Sequence, residues 1–371
     1  METNHETILK MDCYNSLSIK DVKPELVRNL YKFMVRLRRS QESLINEYHP
    51  ADEIRCPVHF CIGQEAVPAS LSQLLRPADH LLSHHRTHGY YFAKGGSMKA
   101  LFAELYGRET GANGGIAGSQ EISVHDANFC SGAILTGGVA IAVGVGFGLK
   151  ARKKGDVVIA GFGDGATDQG IFWEAINYAA LHKLPVVFVC ENNRYSTYSP
   201  QVKRQASENI SGKVASFGMK AQNIFGNDVI LVHSVISDAI ERARKGEGPS
   251  FIETFTYRLN AHVGPEDDDY LNYRPKAELD FWKRNCAIAL LEEQMLAHGL
   301  LNSGEKEKII GEIDKEIFEA FTFAKNSKFP DGINWEKMNY STNSPLADRL
   351  LRDTELSKFN QNQEYAIPGP Y

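Results

Sequence analysis

From Lys23 onward, Leu26, Leu30, Met34 and Leu37 recur three or four positions apart with charged residues between them, the spacing of an amphipathic helix. Before it, residues 1–20 carry no sustained periodicity and read as a loose arm. Between Cys56 and Ser131 the chain is rich in glycine, histidine and polar residues and shows no clean period. The middle is different. Asp156–Gly161 reads as a buried strand, Asp168–Lys183 as a helix, and Leu184–Cys190 as a second buried strand. A strand near Met219–Ile224, a helix over Leu231–Lys245 stopped by Gly246 and Gly248, and a strand over Ser250–Tyr257 follow. Continuous Val/Ile/Phe strands alternating with helices predict an α/β fold, a doubly wound and mostly parallel sheet covered on both faces. Residues 276–326 read as helical, with Ile309, Ile313, Ile317 and Phe321 four apart. No internal repeat or Pro/Gly/Ser-rich linker separates autonomous domains. The reading is an arm (1–20), one α/β domain (21–330) and a C-terminal extension (331–371) ending in an irregular tail.

Composition narrows the class. Of 371 residues, 43% are hydrophobic and 23% charged, the range of a globular chain with a sizeable core, which excludes a disordered, collagen-like or disulfide-stapled protein. Forty-one basic against 46 acidic residues leave a net charge of −5, which argues against nucleic acid as the main partner. Cys13, Cys56, Cys61, Cys130, Cys190 and Cys286 form no Cys-x-x-Cys pair and read as reduced thiols, the pattern of a cytoplasmic protein. The polar, acidic start is unlike a secretory signal or a transit peptide. The longest apolar stretch, Gly137–Leu149, is too short to span a bilayer and reads as a buried helix.

The chemistry concentrates between Gly161-Phe-Gly-Asp-Gly-Ala-Thr-Asp-Gln-Gly170 and Glu191-Asn-Asn-Arg-Tyr195. Ligands of open parallel sheets bind beyond the carboxyl ends of the strands, where Asp164 and Asn193 fall. A right-handed crossover through the intervening helix brings those two ends together. A carboxylate, an amide oxygen and loop carbonyls are hard ligands suited to Mg²⁺, which shares its shell with phosphates. Gly163 and Gly165 let the backbone approach a phosphate, and a helix beginning near Asp168 would point free N–H groups at it. Alone, a Gly-Asp-Gly or an Asn-Asn marks only a turn, and Arg86 alone fits a surface ion pair.

The order and spacing of these two segments, with Gly63-Gln-Glu-Ala, Arg86-Thr-His-Gly89, Leu105-Tyr-Gly-Arg108, Glu174-Ala-Ile-Asn-Tyr-Ala179, Gly226-Asn-Asp-Val229, Gly248-Pro-Ser-Phe-Ile-Glu253 and Thr256-Tyr-Arg258, resemble the alpha subunit of the thiamine-diphosphate-dependent 2-oxo acid dehydrogenases. That family includes the pyruvate, branched-chain and acetoin enzymes, and the resemblance runs over residues 25–330. It implies the diphosphate-binding half of a thiamine-diphosphate fold. It assigns Asp164, the Asn193 side chain and the Tyr195 carbonyl to Mg²⁺, Arg86 to the diphosphate, His85 to cofactor binding, Gly165 and Ala166 to backbone contacts with the diphosphate, and Leu135 to a backbone contact with the aminopyrimidine. His262 matches the second histidine of the family's His-Gly-His and would exchange protons beside the reactive carbon, work for a group titrating near neutrality. His59 is a weaker pocket candidate.

The chain also departs from the pattern. His85 stands where the family has tyrosine, Asn260 where it has histidine, and Glu121 where the pyruvate enzymes have histidine. Glu121 and Asn260 are expected near the substrate carboxylate. The Val263-Gly-Pro-Glu-Asp-Asp-Asp269 loop lacks the serine that is phosphorylated in mitochondrial enzymes, and its charges read as a solvated face. The resemblance implies a subunit that decarboxylates a 2-oxo acid and passes the acyl group to a lipoyl carrier on an acyltransferase, working as half of an α₂β₂ enzyme. An acetoin-type lyase or carboligase is the second expectation, and a non-catalytic assembly subunit the third.

Overall fold

Continuous Val/Ile/Phe segments do form a buried parallel sheet, and helices cover both of its faces. The structure, a computed structural model, describes residues 17–332 apart from 52 and 55. The first sixteen residues of the expected arm, with Cys13, and residues 333–371 of the expected extension lie outside the described residues. The chain divides into two units, 1–329 and 330–371, and every element named below belongs to the first. In chain order these are α1 (Pro24–Ala51), α2 (Ala66–Leu74), β1 (His80–Ser83), α3 (His88–Ala93), α4 (Met98–Leu105), β2 (Ser123–Val124), β3 (Phe129–Ser131), α5 (Gly137–Arg152), β4 (Val158–Gly163), α6 (Gly170–Leu181), β5 (Val186–Asn192), β6 (Tyr195–Ser196), β7 (Ser199–Pro200), α7 (Ile210–Ala215), β8 (Lys220–Phe225), α8 (Val229–Arg244), β9 (Ser250–Phe255), α9 (Lys276–Arg284), α10 (Ala287–Ala297) and α11 (Ser303–Asn326).

The seven-stranded sheet has the order β2-β3-β1-β4-β5-β9-β8. All neighbours are parallel except β2, which runs antiparallel to β3 at the edge. The two-residue period of a strand divides the core in two. Ile159, Val187 and Val189 join the core under α1, α2 and α8, whereas Val158, Ala160, Val186 and Phe188 join the one under α5 and α6. Gly146 of α5 meets that second face so closely that a Cβ would lie 2.6 Å from Val186 Cγ2.

Several expectations change. The stretch without a clean period, Cys56–Ser131, holds α2–α4 and β1–β3, and β1 lies inside the sheet between β3 and β4. Leu17 and Ile19, within the expected arm, are buried in the core. The helix expected from Asp168 begins at Gly170, after a separate 3₁₀ turn over Asp164–Asp168. Helix α5 is buried on one face only, through Val139, Ala142, Val143, Gly146 and Leu149, while Ile141 and Phe147 are exposed. The helical stretch 276–326 is three helices, α9–α11, broken after Arg284 and Ala297. No helix of the described residues is long and apolar enough to cross a membrane.

Candidate active site

Four parallel strands deliver the site from their carboxyl ends. β1 runs into His84, His85 and Arg86, β4 into Asp164, β5 into Asn193, and β9 into the segment that ends at His262. Register aligns these exits: Leu82 pairs with Ala160, Gly163 with Glu191 and Glu191 with Thr254. One cleft is lined by His59, Gln64, His84, His85, Arg86, Gln120, Ala133, Leu135, Gly163, Asp164, Gly165, Ala166, Asn193, Tyr195, Ser196, Thr197 and His262. Every residue singled out from the sequence as a candidate ligand therefore borders the same space. Glu121 and Asn260 do not line it. The Glu121 carboxylate instead accepts the Ala133 N–H at 2.7 Å and anchors the turn that presents Leu135.

The tight turns have local causes. After Gly163 the 3₁₀ turn is held by the Thr167 hydroxyl donating to the Asp164 carbonyl at 2.7 Å. The N–H groups nearest the cleft thus belong to this turn rather than to α6. After β5, the Asn193 Oδ1 accepts the Tyr195 N–H at 3.2 Å, an Asx turn. Arg194 between them adopts φ +73°, and Thr197 further on φ +53°, the left-handed region that ordinary residues occupy at a cost. Asn192 supports the turn from behind: its Oδ1 accepts Arg194 N–H at 3.0 Å and its Nδ2 donates to Glu253 at 2.7 Å and Gln201 at 3.0 Å. Burial pushes the Glu253 carboxyl up to about 7, against the hydrogen bonds from Asn192 and Ser211. The Tyr195 hydroxyl donates to Glu278 at 2.7 Å.

Charge is compensated inside the cleft wall. Asp164 is almost wholly buried, and burial pushes its carboxyl up while Arg204, paired with both Asp164 and Asp168, pulls it back. Arg86 is buried as well. Its guanidinium donates to the Phe60 carbonyl and, at 3.1 Å, to the His262 carbonyl, tying the β1 and β9 exits together. Burial and the neighbouring Arg258 hold it down at about 10. His84 faces Glu191 at 3.4 Å, and the Tyr90 hydroxyl donates to the same carboxylate oxygen at 2.6 Å. The expectation of a near-neutral His262 is corrected. Burial first, then the Arg86 and Arg258 guanidiniums, push its imidazole down to about 4, so the ring is unprotonated at neutral pH.

In the acidic loop after His262, Glu266 and Asp267 are exposed as expected of a solvated face, but Asp268 is not. Asp268 is buried, and its carboxylate accepts the Tyr273 hydroxyl (2.7 Å), Arg274 (2.9 Å), Arg258 (3.2 Å) and the His262 N–H (3.2 Å). Arg258 also donates to the carbonyls of Asn260 and Thr197. The clamp fixes the backbone on which His262 is carried. Sequence reasoning missed Asp268 and Arg204, and it held Gln64 only within a motif, not as the side chain that accepts from the Asn193 amide at 3.3 Å. A lone buried acid within a charge run, and a cation forty positions from its partner, leave no local signal. Gly63 was legible as part of a motif, and its reason is steric: with φ +96°, an added Cβ would lie 2.3 Å from the Tyr257 carbonyl.

Comparison with known proteins agrees with this architecture. Residues 32–332 match the family model described as dehydrogenase E1 component. The chain is 32% identical over 332 residues to the pyruvate dehydrogenase E1 component subunit alpha-3 of Arabidopsis thaliana chloroplasts, covering 88% of this chain and 76% of that protein. It is 32% identical over 309 residues to the alpha subunit of the Bacillus subtilis acetoin:2,6-dichlorophenolindophenol oxidoreductase, covering 81% and 89%. It is 33% identical over 276 residues to the 2-oxoisovalerate dehydrogenase subunit alpha of the same bacterium, covering 72% and 82%. The chain belongs to the dehydrogenase E1 component family, the thiamine-diphosphate-dependent oxidoreductases that its motifs resemble.

Proposed function

We propose that the chain is the alpha subunit of a 2-oxo acid dehydrogenase that uses Mg²⁺ with its thiamine diphosphate, removes CO₂ from a small pyruvate-like acid and passes the acyl group to a lipoyl carrier. The observation that carries the reading is the convergence of an oxygen-ligand set, a buried guanidinium and a neutral imidazole around one cleft at four strand ends. The Asp164 carboxylate, Asn193 amide oxygen and Tyr195 carbonyl are the hard donors Mg²⁺ prefers, and Arg204 already shows that Asp164 draws a cation. Arg86, Gly165 and Ala166 would hold the diphosphate, His85 would contact the cofactor, and Leu135 would hold the aminopyrimidine through its backbone. When bound, thiamine diphosphate supplies the carbon nucleophile and electron sink of the reaction. The chain's own contribution is positioning and proton handling. His262 offers an unprotonated ring nitrogen, and an anionic diphosphate beside it would raise its proton affinity back toward neutrality.

A beta-type partner completes the site in this reading. The resembling family takes the carboxylate that faces the aminopyrimidine from its beta subunit, and the described residues here build one large, mostly parallel sheet beside a two-stranded β6-β7 ribbon. Ile134 and Leu181 are 71% and 73% exposed, Ile141 and Phe147 of α5 and Ile171 of α6 are exposed as well, and Gly144 and Gly148 of α5 face open space. An exposed apolar face of this kind fits an obligate interface in an α₂β₂ assembly. The scattered cysteines, free among the described residues, support a reducing, cytoplasmic setting.

The near-equal identities to pyruvate and acetoin enzymes keep an acetoin-type substrate as the second reading. The test is a screen of 2-oxo acids and acetoin with an artificial electron acceptor, using the chain with its beta partner. Turnover of a 2-oxo acid supports the first reading, and turnover of acetoin alone replaces it with the second.

A further inference from the structure

His59, His85 and His262 come from three separate segments and meet in the cleft. Each presents a ring nitrogen, and these nitrogens lie within 4.8 Å of one another. The ring centroids are 4.5 Å apart for His59–His85, 5.0 Å for His59–His262 and 5.8 Å for His85–His262. His84 is turned the other way, onto Glu191, and takes no part. The buried Nδ1 of His59 has no hydrogen-bond partner, an unusual state for a buried polar atom. All three histidines border the cofactor pocket that the resemblance implies, and His85 stands where the family has tyrosine, so the triad arises from this chain's own departure.

We propose that His59, His85 and His262 form a binding site for a borderline-soft divalent cation, Zn²⁺ above all, distinct from the oxygen site at Asp164. Three imidazoles plus water is a common open zinc shell, with Zn–N distances of about 2.0–2.1 Å, which place the nitrogens about 3.3 Å apart in a tetrahedron. The three side chains border the same cleft, and their nitrogens, within 4.8 Å of one another, must draw closer to reach that separation. Burial and the nearby Arg86 hold all three rings well below the ordinary histidine range, so the metal displaces no proton at neutral pH. The same guanidinium repels a dication, which sets the affinity below that of a triad flanked by a carboxylate. Mg²⁺, which favours oxygen, does not compete for these nitrogens. A bound ion would occupy the His262 nitrogen and make zinc a reversible inhibitor of turnover. That consequence rests on the cofactor reading, whereas the site does not.

The experiment is a Co²⁺ titration of the full-length chain, stripped of metal and cofactor, followed by visible absorption and by Zn²⁺ displacement. The expected result is the intense visible band of four-coordinate Co²⁺, saturating at one ion per chain and lost on adding Zn²⁺. His85→Tyr restores the residue the resembling family carries and so preserves folding, checked by circular dichroism and thermal melting. It should weaken binding at least about tenfold, as should His59→Gln. Asp164→Ala should leave the band in place. No band at millimolar Co²⁺, a band unchanged in both histidine variants, or one abolished by Asp164→Ala would overturn the proposal.

Discussion

Replacing Asp268 by Asn removes the charge at the centre of the clamp under His262 while keeping its size. In the native fold that carboxylate faces Arg258 and Arg274, both nearly wholly buried, together with the Tyr273 hydroxyl and the His262 N–H. The amide would turn an NH₂ group toward one of these donors and leave two guanidiniums facing each other without an anion between them. Hydrogen bonds to charged groups contribute about 1.5–3 kcal/mol each, and breaking a buried ion pair from one side costs about 3–5 kcal/mol. Arg274 keeps Asp269 and Arg258 keeps two carbonyls, so the expected loss is at the lower end, about 3 kcal/mol. The assay is urea unfolding at two pH values. Burial opposes ionisation of Asp268, but Tyr273, Arg274 and Arg258 outweigh it and hold its carboxyl below the usual carboxylate range. A depressed carboxylate stabilises the fold fully above its unfolded value of about 3.9 and loses that contribution as pH falls through the lower folded value. The difference between wild type and Asp268→Asn should therefore be full at pH 7 and shrink at the acid end. A loss under about 0.5 kcal/mol at pH 7, the size of an ordinary surface change, would refute the clamp.

His262→Ala should preserve cofactor affinity by calorimetry while lowering turnover by about a hundredfold or more, the scale of a lost proton-transfer group; unchanged turnover would make His262 structural. In the ligand-free chain, the His262 ring resonances should show no titration between pH 5 and 8, because its value lies at about 4. Its lowered proton affinity means that folding stability falls as pH drops from its unfolded value of about 6.5 toward that folded one. Gly63→Ala should destabilise the fold measurably in thermal melts, since a Cβ meets the Tyr257 carbonyl at 2.3 Å on a left-handed backbone. The purified chain assayed alone with cofactor, Mg²⁺ and candidate substrates should not turn over, and full turnover without a second polypeptide would remove the beta partner from the account.

The fold was legible where burial is continuous. β4, β5 and β9 are buried along all or nearly all of their length, so the Val, Ile and Phe residues they carry stand out, and the helices between them follow. β1 was not legible because it spans only four residues, and α2–α4 are each nine residues or fewer, too short for a period to repeat. The ligand residues were legible because Asp164 and Asn193 lie directly after strands and within short motifs. Their supports were not. Arg204 reaches Asp164, Glu253 reaches Asn192, and Glu104 accepts four backbone N–H groups of the 113–118 turn. Such partners are set by tertiary approach, so nothing in the local sequence of either residue announces them. Asp268, buried between the exposed Asp267 and the half-buried Asp269, shows the same limit within one run of acids.

The most direct measurement is calorimetric titration of thiamine diphosphate into the assembled enzyme, with Mg²⁺ and again in excess chelator, for wild type and Asp164→Ala. The account predicts Mg²⁺-dependent binding in the wild type and its loss in the variant, with folding unchanged by circular dichroism. Equal cofactor affinity in the two proteins would contradict the assignment of the cleft at the strand ends.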